Sequence, residues 1–323
     1  MRVSQPFSRR AFLTRSSVAA AVLGLVPQIA YGDEPPAEEK VFKSHGPGEM
    51  WLKNSERLIE QFIRPKPEGQ RVNEQICSSR RLENVFYIDL GKYAVVIDTG
   101  FDHQVQHHLD NLEALGCDLS RVVAILATHS HVDHTAGLKK ARDRLKVPVV
   151  AHPNALEPIT TGDRLRTASE MPEIKGWKFD YPPCPVDLTI DHGDVIEIDG
   201  QRIEILHLPG HTPDCVGYVW NGHFFTGDAV FGGGLIGWAH ERWLANYADH
   251  ADTMLGLIET APDAQTFYCA HGPVLPYSTA VPEACLVTLK RLLANDADPC
   301  NDTPRTTRRA ADAATRVLKL PTD

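Results

Sequence analysis

Ala127-Thr128-His129-Ser130-His131-Val132-Asp133-His134-Thr135 directly follows an apolar run at 121–126. Three histidines and one aspartate fall within six residues there, at the end of a strand-like segment. Imidazoles and carboxylates are the side chains that bind Zn²⁺ and similar divalent ions. If the chain is extended there, His129 and His131 point to the same side, because side chains alternate along a strand. The segment therefore predicts a metal site at the end of a strand.

Three later segments bring further metal-ligand side chains to the ends of predicted strands. Alternating apolar patterns predict hairpins over 194–208 and 215–226 and a short strand at 266–270. They lead into Pro209-Gly210-His211-Thr212, Thr226-Gly227-Asp228 and His271-Gly272. Unrelated polar loop residues would not fall at successive strand ends in this way. We therefore expect one shared site, whose metal ligands are His129, His131, Asp133, His134, His211, Asp228 and His271.

The rest of the chain alternates between strand and helix patterns. The segment 84–98 reads as a hairpin, and apolar spacing predicts helices at 51–63, 104–115, 136–145, 249–260 and 282–295. Residues 153–185 have no firm periodicity, which is typical of a functional lid or an ordered insertion. His103, His107 and His108 lie on a polar helical segment, so we expect them to be exposed to solvent.

The N-terminus has the pattern of an export signal. Ser8-Arg9-Arg10-Ala11-Phe12-Leu13 resembles the bacterial twin-arginine motif, and an apolar stretch follows it. Small residues at Ala30 and Gly32 suit cleavage before residue 33. The alternative is an uncleaved amphipathic helix or membrane anchor. We expect a signal peptide at 1–32, a linker and short helix at 33–79, the main domain at 80–295 and a tail or helix at 296–323. The protein would then be periplasmic or secreted, with no stable membrane insertion after cleavage.

The charge balance argues against nucleic acid as a partner. The chain has 33 basic and 42 acidic side chains, and residues 1–32 contain four arginines and no acid. Cleavage would therefore leave 29 basic against 42 acidic side chains. Such a surface repels nucleic acid, so we expect a small-molecule substrate. The seven cysteines show no CxxC pair. Some of them can form disulfides in an oxidising compartment. Cys215 and Cys269 lie near His211 and His271, and we expect them to act as buried small apolar side chains.

The four motifs in series resemble the metallo-β-lactamase-fold hydrolases over about residues 80–295, and the glyoxalase II and lactonase branches are the most similar in style. The resemblance implies an α+β fold, an αββα sandwich in which two mixed β-sheets lie face to face with helices outside. It also implies two divalent metal ions, zinc in the first place, with iron or manganese as alternatives. His129, His131 and His211 would hold one ion. Asp133, His134 and His271 would hold the other, and Asp228 would bridge the two.

The same resemblance implies hydrolysis of an ester, thioester, lactone or amide by a hydroxide that bridges the metals. Asp133 and Asp228 would be the catalytic carboxylates, the first steering the proton of the bridging water. One alternative is an iron-dependent oxidoreductase, since persulfide dioxygenases resemble this branch and use some of the same ligands for one iron. A further alternative is a phosphodiesterase, against which the negative charge counts.

Several residues near the motifs indicate which branch of the family the chain resembles and which side chains line the substrate pocket. Asp228 stands where true β-lactamases of this fold commonly have cysteine or serine. Phe231 stands where lactonases often have a tyrosine, a role that Tyr247 or Tyr277 could take. Asp98 either orients a ligand histidine or forms a turn. Remaining expectations are a structural role for His152, sheet positions for His207 and His223, a flexible rim at 232–234, and a pocket wall or packing role for Trp238, Arg242, Trp243 and Tyr247.

Overall fold

Two mixed β-sheets make up most of the computed structural model, which describes residues 2–4, 69–171, 177–237 and 241–294. The helix predicted at 51–63, the tail predicted at 296–323 and most of the segment predicted as a signal peptide lie outside the described residues. The same holds for Trp238. No helix in these described ranges has the length and apolarity needed to cross a membrane.

The first sheet has the strand order β2-β3-β4-β5-β6-β7-β8. Its strands are β2 (Gln70–Arg71), β3 (Ile76–Arg80), β4 (Asn84–Asp89), β5 (Ala94–Ile97), β6 (Val122–Leu126), β7 (Val149–Ala151) and β8 (Leu188–Thr189). Strands β2 to β5 pair antiparallel, and β5 to β8 pair parallel. Parallel strands end at the same edge of a sheet. The residues that follow β5, β6 and β7 therefore share one edge, and these include Asp98, His129 and His152.

The second sheet has the order β1-β9-β10-β11-β12-β13-β14. Its strands are β1 (Arg2–Ser4), β9 (Val195–Ile198), β10 (Gln201–His207), β11 (Val216–Trp220), β12 (Gly222–Gly227), β13 (Ala264–Cys269) and β14 (Val274–Pro276). Only β12 and β13 pair parallel among these strands. Asp228 and His271 therefore follow two neighbouring strands at the same end.

The inward faces of the two sheets pack against each other. Phe86, Val95 and Ile97 from the first sheet share one core with Tyr218 and Phe225 from the second. Side chains alternate along each strand, so the intervening residues face outward. Ala94 and Val96 accordingly pack in a separate outer core. A third apolar core covers the outer face of the second sheet. The prediction of two face-to-face mixed sheets is confirmed.

Helices occupy the two outer layers. They are α1 (Val105–Ala114), α2 (Val132–Thr135), α3 (Leu138–Leu145), α4 (Leu156–Thr161), α5 (Tyr247–Thr260) and α6 (Ala280–Ala294). Helices α1, α3 and α4 contribute to the core outside the first sheet, and α5 and α6 to the core outside the second. The helix predicted at 136–145 is present as α3, which begins at Leu138, and the single turn α2 precedes it. A Cβ at Gly137, between α2 and α3, would lie 2.8 Å from Cβ of Val105, so this glycine approaches α1 more closely than any larger residue permits.

The first sheet extends beyond the boundary that the sequence predicted at residue 80. Strands β2 and β3 lie in the predicted linker 33–79, and Ile76 and Cys77 are buried there. At the edge of the other sheet, β1 falls within the predicted signal peptide and pairs with β9. A mature chain that begins after Gly32 would lack β1. The six cysteines within the described residues are buried free thiols, as the apolar reading of Cys215 and Cys269 predicts.

Candidate metal centre

The seven predicted ligands meet at one edge of the sandwich. Ligand atoms of His129, His131 and His211 lie within 4.8 Å of one another. The same limit holds for a second group, Asp133, His134 and His271, and for a third, His129, His134 and Asp228. The segment between β6 and α2 carries His129 and His131, α2 carries the residues at 133 and 134, and the loops after β10, β12 and β13 carry the others. The structure therefore brings together all seven residues, because the third group contains Asp228 and shares one histidine with each of the other two.

Asp228 lies between the two groups. Its Oδ1 is 3.6 Å from Nε2 of His134. Its Oδ2 is 3.5 Å from Nε2 of His211 and 3.5 Å from Nε2 of His271. Asp133 belongs to one group alone, with Oδ2 3.2 Å from Nε2 of His271. One carboxylate thus faces both sets of imidazoles, which is the position needed for a bridge between two ions.

The imidazoles are oriented by hydrogen bonds at their Nδ1 atoms. Nδ1 of His134 donates to Oδ2 of Asp98 over 2.9 Å, and Nδ1 of His271 donates to the carbonyl of Leu82 over 2.9 Å. His129 Nδ1 lies 3.1 Å from the hydroxyl of Thr128. Such bonds select the tautomer that leaves Nε2 for a metal. All three Nε2 atoms consequently point into the site.

Asp98 supports both the histidine motif and the strand that carries it. Its carboxylate accepts hydrogen bonds from the Thr128 backbone N–H at 2.8 Å, from the Thr128 hydroxyl at 2.7 Å and from His134. It has φ of 58°, a left-handed conformation that is uncommon outside glycine. Residues held in such conformations cluster at functional sites. The geometry therefore places Asp98 behind a ligand histidine and not in a simple turn.

The His131–His211 side of the site is closed by an aromatic ring. Nδ1 of His131 lies 2.9 Å from Nε2 of His211. The Trp243 ring is nearly perpendicular to that of His131, with centroids 4.7 Å apart. Between the two motif histidines, the Ser130 N–H donates to the buried carboxylate of Asp214 over 2.8 Å. Trp243 is thus packed in the structure and also lies beside the predicted metal ligands. Both roles that the sequence allowed, packing and lining the pocket, therefore apply to it.

The loop that carries His271 is held by Asn84, the first residue of β4. The Asn84 side chain donates to the carbonyls of Cys269 and Gly272 over 2.9 and 3.0 Å. The Asn84 N–H donates to the Ala270 carbonyl over 2.7 Å. The side-chain contact with Cys269 joins residues 185 positions apart in the chain. No sequence pattern marks Asn84, because its partners are backbone carbonyls.

Helix α5 holds the loops that carry His211 and Asp228. The Asn246 N–H donates to the Gly210 carbonyl over 2.8 Å, and the Thr253 hydroxyl donates to the Pro209 carbonyl over 2.7 Å. Nε2 of His250 donates to the Ala229 carbonyl over 2.6 Å. A Cβ at Gly210 would lie 2.3 Å from His250, so only glycine fits there. His250 was not predicted, because a histidine within an amphipathic helix carries no metal-site pattern.

The buried polar atoms of the site fit bound cations. Nε2 of His129, Nε2 of His134 and Oδ1 of Asp228 are buried and have no hydrogen-bond partner within the described residues. Burial on its own raises the pKa of Asp228, but the neighbouring His271 and His134 hold it well below the usual range. Burial lowers the pKa of His129 and His131. Ionised carboxylates among imidazoles are a donor set that suits zinc, iron or manganese.

The other residues near the motifs occupy different places. The Phe231 ring lies 6.0 Å from that of His271. Tyr277 packs on Phe224 and Phe267 in the outer core, to which the buried Tyr247 also belongs. The segment 232–234 is docked on α6, where Gly234 accepts a hydrogen bond from the hydroxyl of Thr288, so it is packed and not a free rim.

The insertion 153–185 packs against the histidine motif. The Tyr181 hydroxyl lies 2.7 Å from that of Thr135 and donates to the Ser130 carbonyl over 3.3 Å. The Thr167 carbonyl accepts the N–H of Val132 over 2.8 Å. The described part of the insertion thus buttresses the motif. His152, just before its start, lies outside the seven-residue site.

Comparisons with known proteins identify the family of this chain. Residues 79–271 match the model of the metallo-beta-lactamase superfamily. The chain is 32% identical over 149 residues to the hydroxyacylglutathione hydrolase of Halorhodospira halophila, with 46% of this chain and 43% of that protein covered. It is 25% identical over 207 residues to the acyl-coenzyme A thioesterase MBLAC2 of Homo sapiens, with 58% and 72% covered. The chain therefore spans less than half of the first relative and about three quarters of the second.

Solved structures show the same fold. A B3 metallo-beta-lactamase with an active-site glutamic acid superposes with a TM-score of 0.56 at 20% identity, covering 74% of this chain and 92% of that one. A metallo-beta-lactamase family protein from Thermus thermophilus gives a TM-score of 0.54 at 22% identity, covering 73% and 86%.

Proposed function

The chain belongs to the metallo-β-lactamase superfamily, and from this premise we propose that it is a metal-dependent hydrolase that cleaves thioesters with two divalent ions. The observation that carries the proposal is the position of Asp228, whose two carboxylate oxygens face the imidazoles of both ligand groups. Two cations about 3.5–4 Å apart repel each other and need an anion between them. Bound there, they would supply Lewis acidity and a nucleophilic water of lowered pKa.

The chain's own residues prepare this site for hydrolysis. Burial raises the pKa of Asp133, but His134 and His271 outweigh it and lower the pKa to about 2. Asp133 is therefore ionised at neutral pH and can accept a proton at its carboxylate. Asp98 and the Leu82 carbonyl keep His134 and His271 pointed inward. The Trp243 ring and the apolar Phe231 border the ligands and restrict water there.

Phe231 favours a thioester over a lactone or an amide. It has no hydroxyl with which to protonate a leaving group or to hydrogen-bond an oxyanion. A thiol has a pKa of about 8.5, so a thiolate departs without a general acid, whereas an alkoxide or an amide nitrogen needs one. The names of two relatives support the same class, since one hydrolyses hydroxyacylglutathione and the other an acyl-coenzyme A.

The test is a substrate panel on purified protein. We expect chelation to abolish hydrolysis of S-acyl glutathione and acyl-coenzyme A, and added Zn²⁺, Mn²⁺ or Fe²⁺ to restore it. A lactone, a phosphodiester and a cephalosporin should be turned over more slowly under the same conditions. Preference for the cephalosporin or the phosphodiester would contradict the thioester assignment. A single iron per chain with oxygen uptake on glutathione persulfide would instead support the oxidoreductase and refute the hydrolase.

A further inference from the structure

A second cluster of ligand-type side chains lies outside the seven-residue site. His152 follows β7, Asp191 lies between β8 and β9, and His207 ends β10. One ligand atom of each lies within 4.8 Å of the others. We propose that these three residues form an auxiliary site for an imidazole-favouring divalent cation, for which Zn²⁺ is the probe. The auxiliary site is defined by His152, Asp191 and His207 throughout.

The distances between the ligand atoms of the cluster suit binding to one common cation better than direct hydrogen bonds between the side chains. A tetrahedral Zn²⁺ with bonds of about 2.0–2.1 Å holds its ligand atoms roughly 3.3 Å apart. Nε2 of His152 lies 3.4 Å from Oδ1 of Asp191. That nitrogen is buried and has no hydrogen-bond partner within the described residues, while the whole side chain of His152 is 5% exposed. A buried polar atom left without a partner is unfavourable, and a cation at this place would satisfy it.

Hydrogen bonds decide which ring atoms are available for a cation. Nε2 of His207 donates to the carbonyl of Pro213 over 2.8 Å, which leaves Nδ1 with its lone pair. A backbone carbonyl is the usual partner of the second nitrogen in a ligand histidine. Nδ1 of His152 accepts the Asn154 N–H over 3.2 Å. Ligation through Nε2 requires the ring proton of His152 to move to Nδ1, which breaks the hydrogen bond from the Asn154 N–H.

The charge state of the cluster also suits a cation. The His152 and His207 rings are stacked with centroids 4.1 Å apart and planes 13° apart, which two charged rings would not tolerate. Burial, and then the proximity of His207, lowers the pKa of His152 to about 4, so its ring is neutral at pH 7. A metal lies in the plane of each ring that binds it, so ligation also tilts these rings apart. Two imidazoles and one carboxylate favour zinc over calcium or magnesium, which prefer oxygen ligands.

The auxiliary site is linked to the loop that carries His211. The Pro213 carbonyl that accepts from His207 also accepts from the Asn154 side chain over 3.0 Å. The next residue, Asp214, holds the Ser130 N–H of the histidine motif. A cation bound at the auxiliary site would therefore stabilise this loop without touching the seven predicted metal ligands of the central site. It would raise the melting temperature, because it binds the folded chain alone.

Metal content of the full-length chain tests the inference. Wild type and Asp191→Asn are loaded with Zn²⁺, passed over a desalting column and analysed for zinc. The substituted amide keeps an oxygen that can accept the His192 N–H, which the Asp191 carboxylate accepts over 2.7 Å, so the loop is retained. We expect one zinc ion fewer per chain in Asp191→Asn, with at least tenfold weaker binding in titration. Hydrolysis should be unchanged when the central site is loaded.

A matched pair of histidine variants separates the site from general effects. His207→Asn should lose the same single ion, whereas His223→Asn should lose none, because His223 contacts Tyr268 outside the cluster. Equal zinc content and equal zinc-dependent melting shifts in wild type and Asp191→Asn would overturn the proposal, even if His207→Asn fails to fold. This result is independent of the proposed function. An inactive wild type with the extra ion would count only against the hydrolase.

Discussion

At the scale of single residues, Asp98 has the most specific task outside the ligand set. Asp98→Asn keeps the size of the side chain but places an amide nitrogen against a donor in either orientation. It faces His134 Nδ1 and the Thr128 hydroxyl, which donate to Oδ2, or the Thr128 N–H, which donates to Oδ1. We expect metal affinity to fall by about 10–100-fold, the usual effect of losing a partner of a ligand histidine. Titration of the apo-protein with Zn²⁺ measures this.

The control for Asp98 is an aspartate in a distant loop. Asp263→Asn changes charge equally and lies far along the chain from the motif. Its metal affinity should match that of wild type. If Asp98→Asn also binds metal as tightly as wild type, Asp98 has no orienting role.

The residues that could be predicted from the sequence are those whose chemistry is local. His129, His131, Asp133 and His134 form one short pattern, and each remaining ligand follows a recognisable strand. Leu82, by contrast, acts through a backbone carbonyl that any residue supplies.

His108 shows where local reasoning fails. It was expected at the surface, and that prediction is wrong, because the side chain is fully buried. Its ring bonds to Ser79 and Glu83, which lie 29 and 25 positions away along the chain. No local pattern reveals such partners, since they are brought together only when α1 packs on the first sheet.

At the scale of elements, helix α5 links two ligand loops through His250. His250→Leu removes the donor to the Ala229 carbonyl and leaves that buried group without its bond. We expect the free energy of unfolding to fall by about 1–3 kcal/mol, together with weaker metal binding because Asp228 precedes Ala229. Urea unfolding and zinc titration measure the two effects. His223→Leu serves as the control, and metal binding there should be unchanged.

The sequence allows two roles for the insertion 153–185, a functional lid or an ordered segment that packs. Tyr181→Phe removes a hydroxyl that bonds to Thr135 and Ser130, but Thr135 keeps two backbone partners. The expected loss is about 1 kcal/mol of stability, with the rate of hydrolysis nearly unchanged. A large change in substrate preference with unaltered stability would show that the insertion reads the substrate and does not support the motif. Tyr93→Phe, in a hairpin far from the insertion, gives the baseline for losing a tyrosine hydroxyl.

At the scale of the whole molecule, we propose export by the twin-arginine route with the metal site already folded. A full-length chain with Arg9 and Arg10 replaced by lysine should stay in the cytoplasm, whereas the parent chain should leave it. Cell fractionation followed by immunoblotting measures both. Equal export of the two chains would refute the twin-arginine signal while leaving the metal centre unaffected.

The two-sheet architecture could be predicted because hairpin patterns and strand-end ligands occur in the family order. The first sheet nevertheless begins before residue 80, because the short strands β2 and β3 carry few strand signals of their own. The burial of β3 comes from pairing with β4, a contact that depends on the assembled sheet. Similarly, the close approach of Gly137 to α1 exists only when both elements are in place, so no local pattern reveals it.

The bridging role of Asp228 can be measured as the metal content of Asp228→Ala compared with wild type, by elemental analysis after parallel purification and dialysis. An ion at the auxiliary site would be present in both proteins, so it does not contribute to the difference in their metal content. Removing the carboxylate of Asp228 leaves no anion between the two ligand groups. The variant should therefore contain between one and two metal ions fewer per chain than wild type. Thioester hydrolysis should fall by several orders of magnitude. Equal metal content and near-full activity in Asp228→Ala would contradict the bridging role on which the proposed function rests.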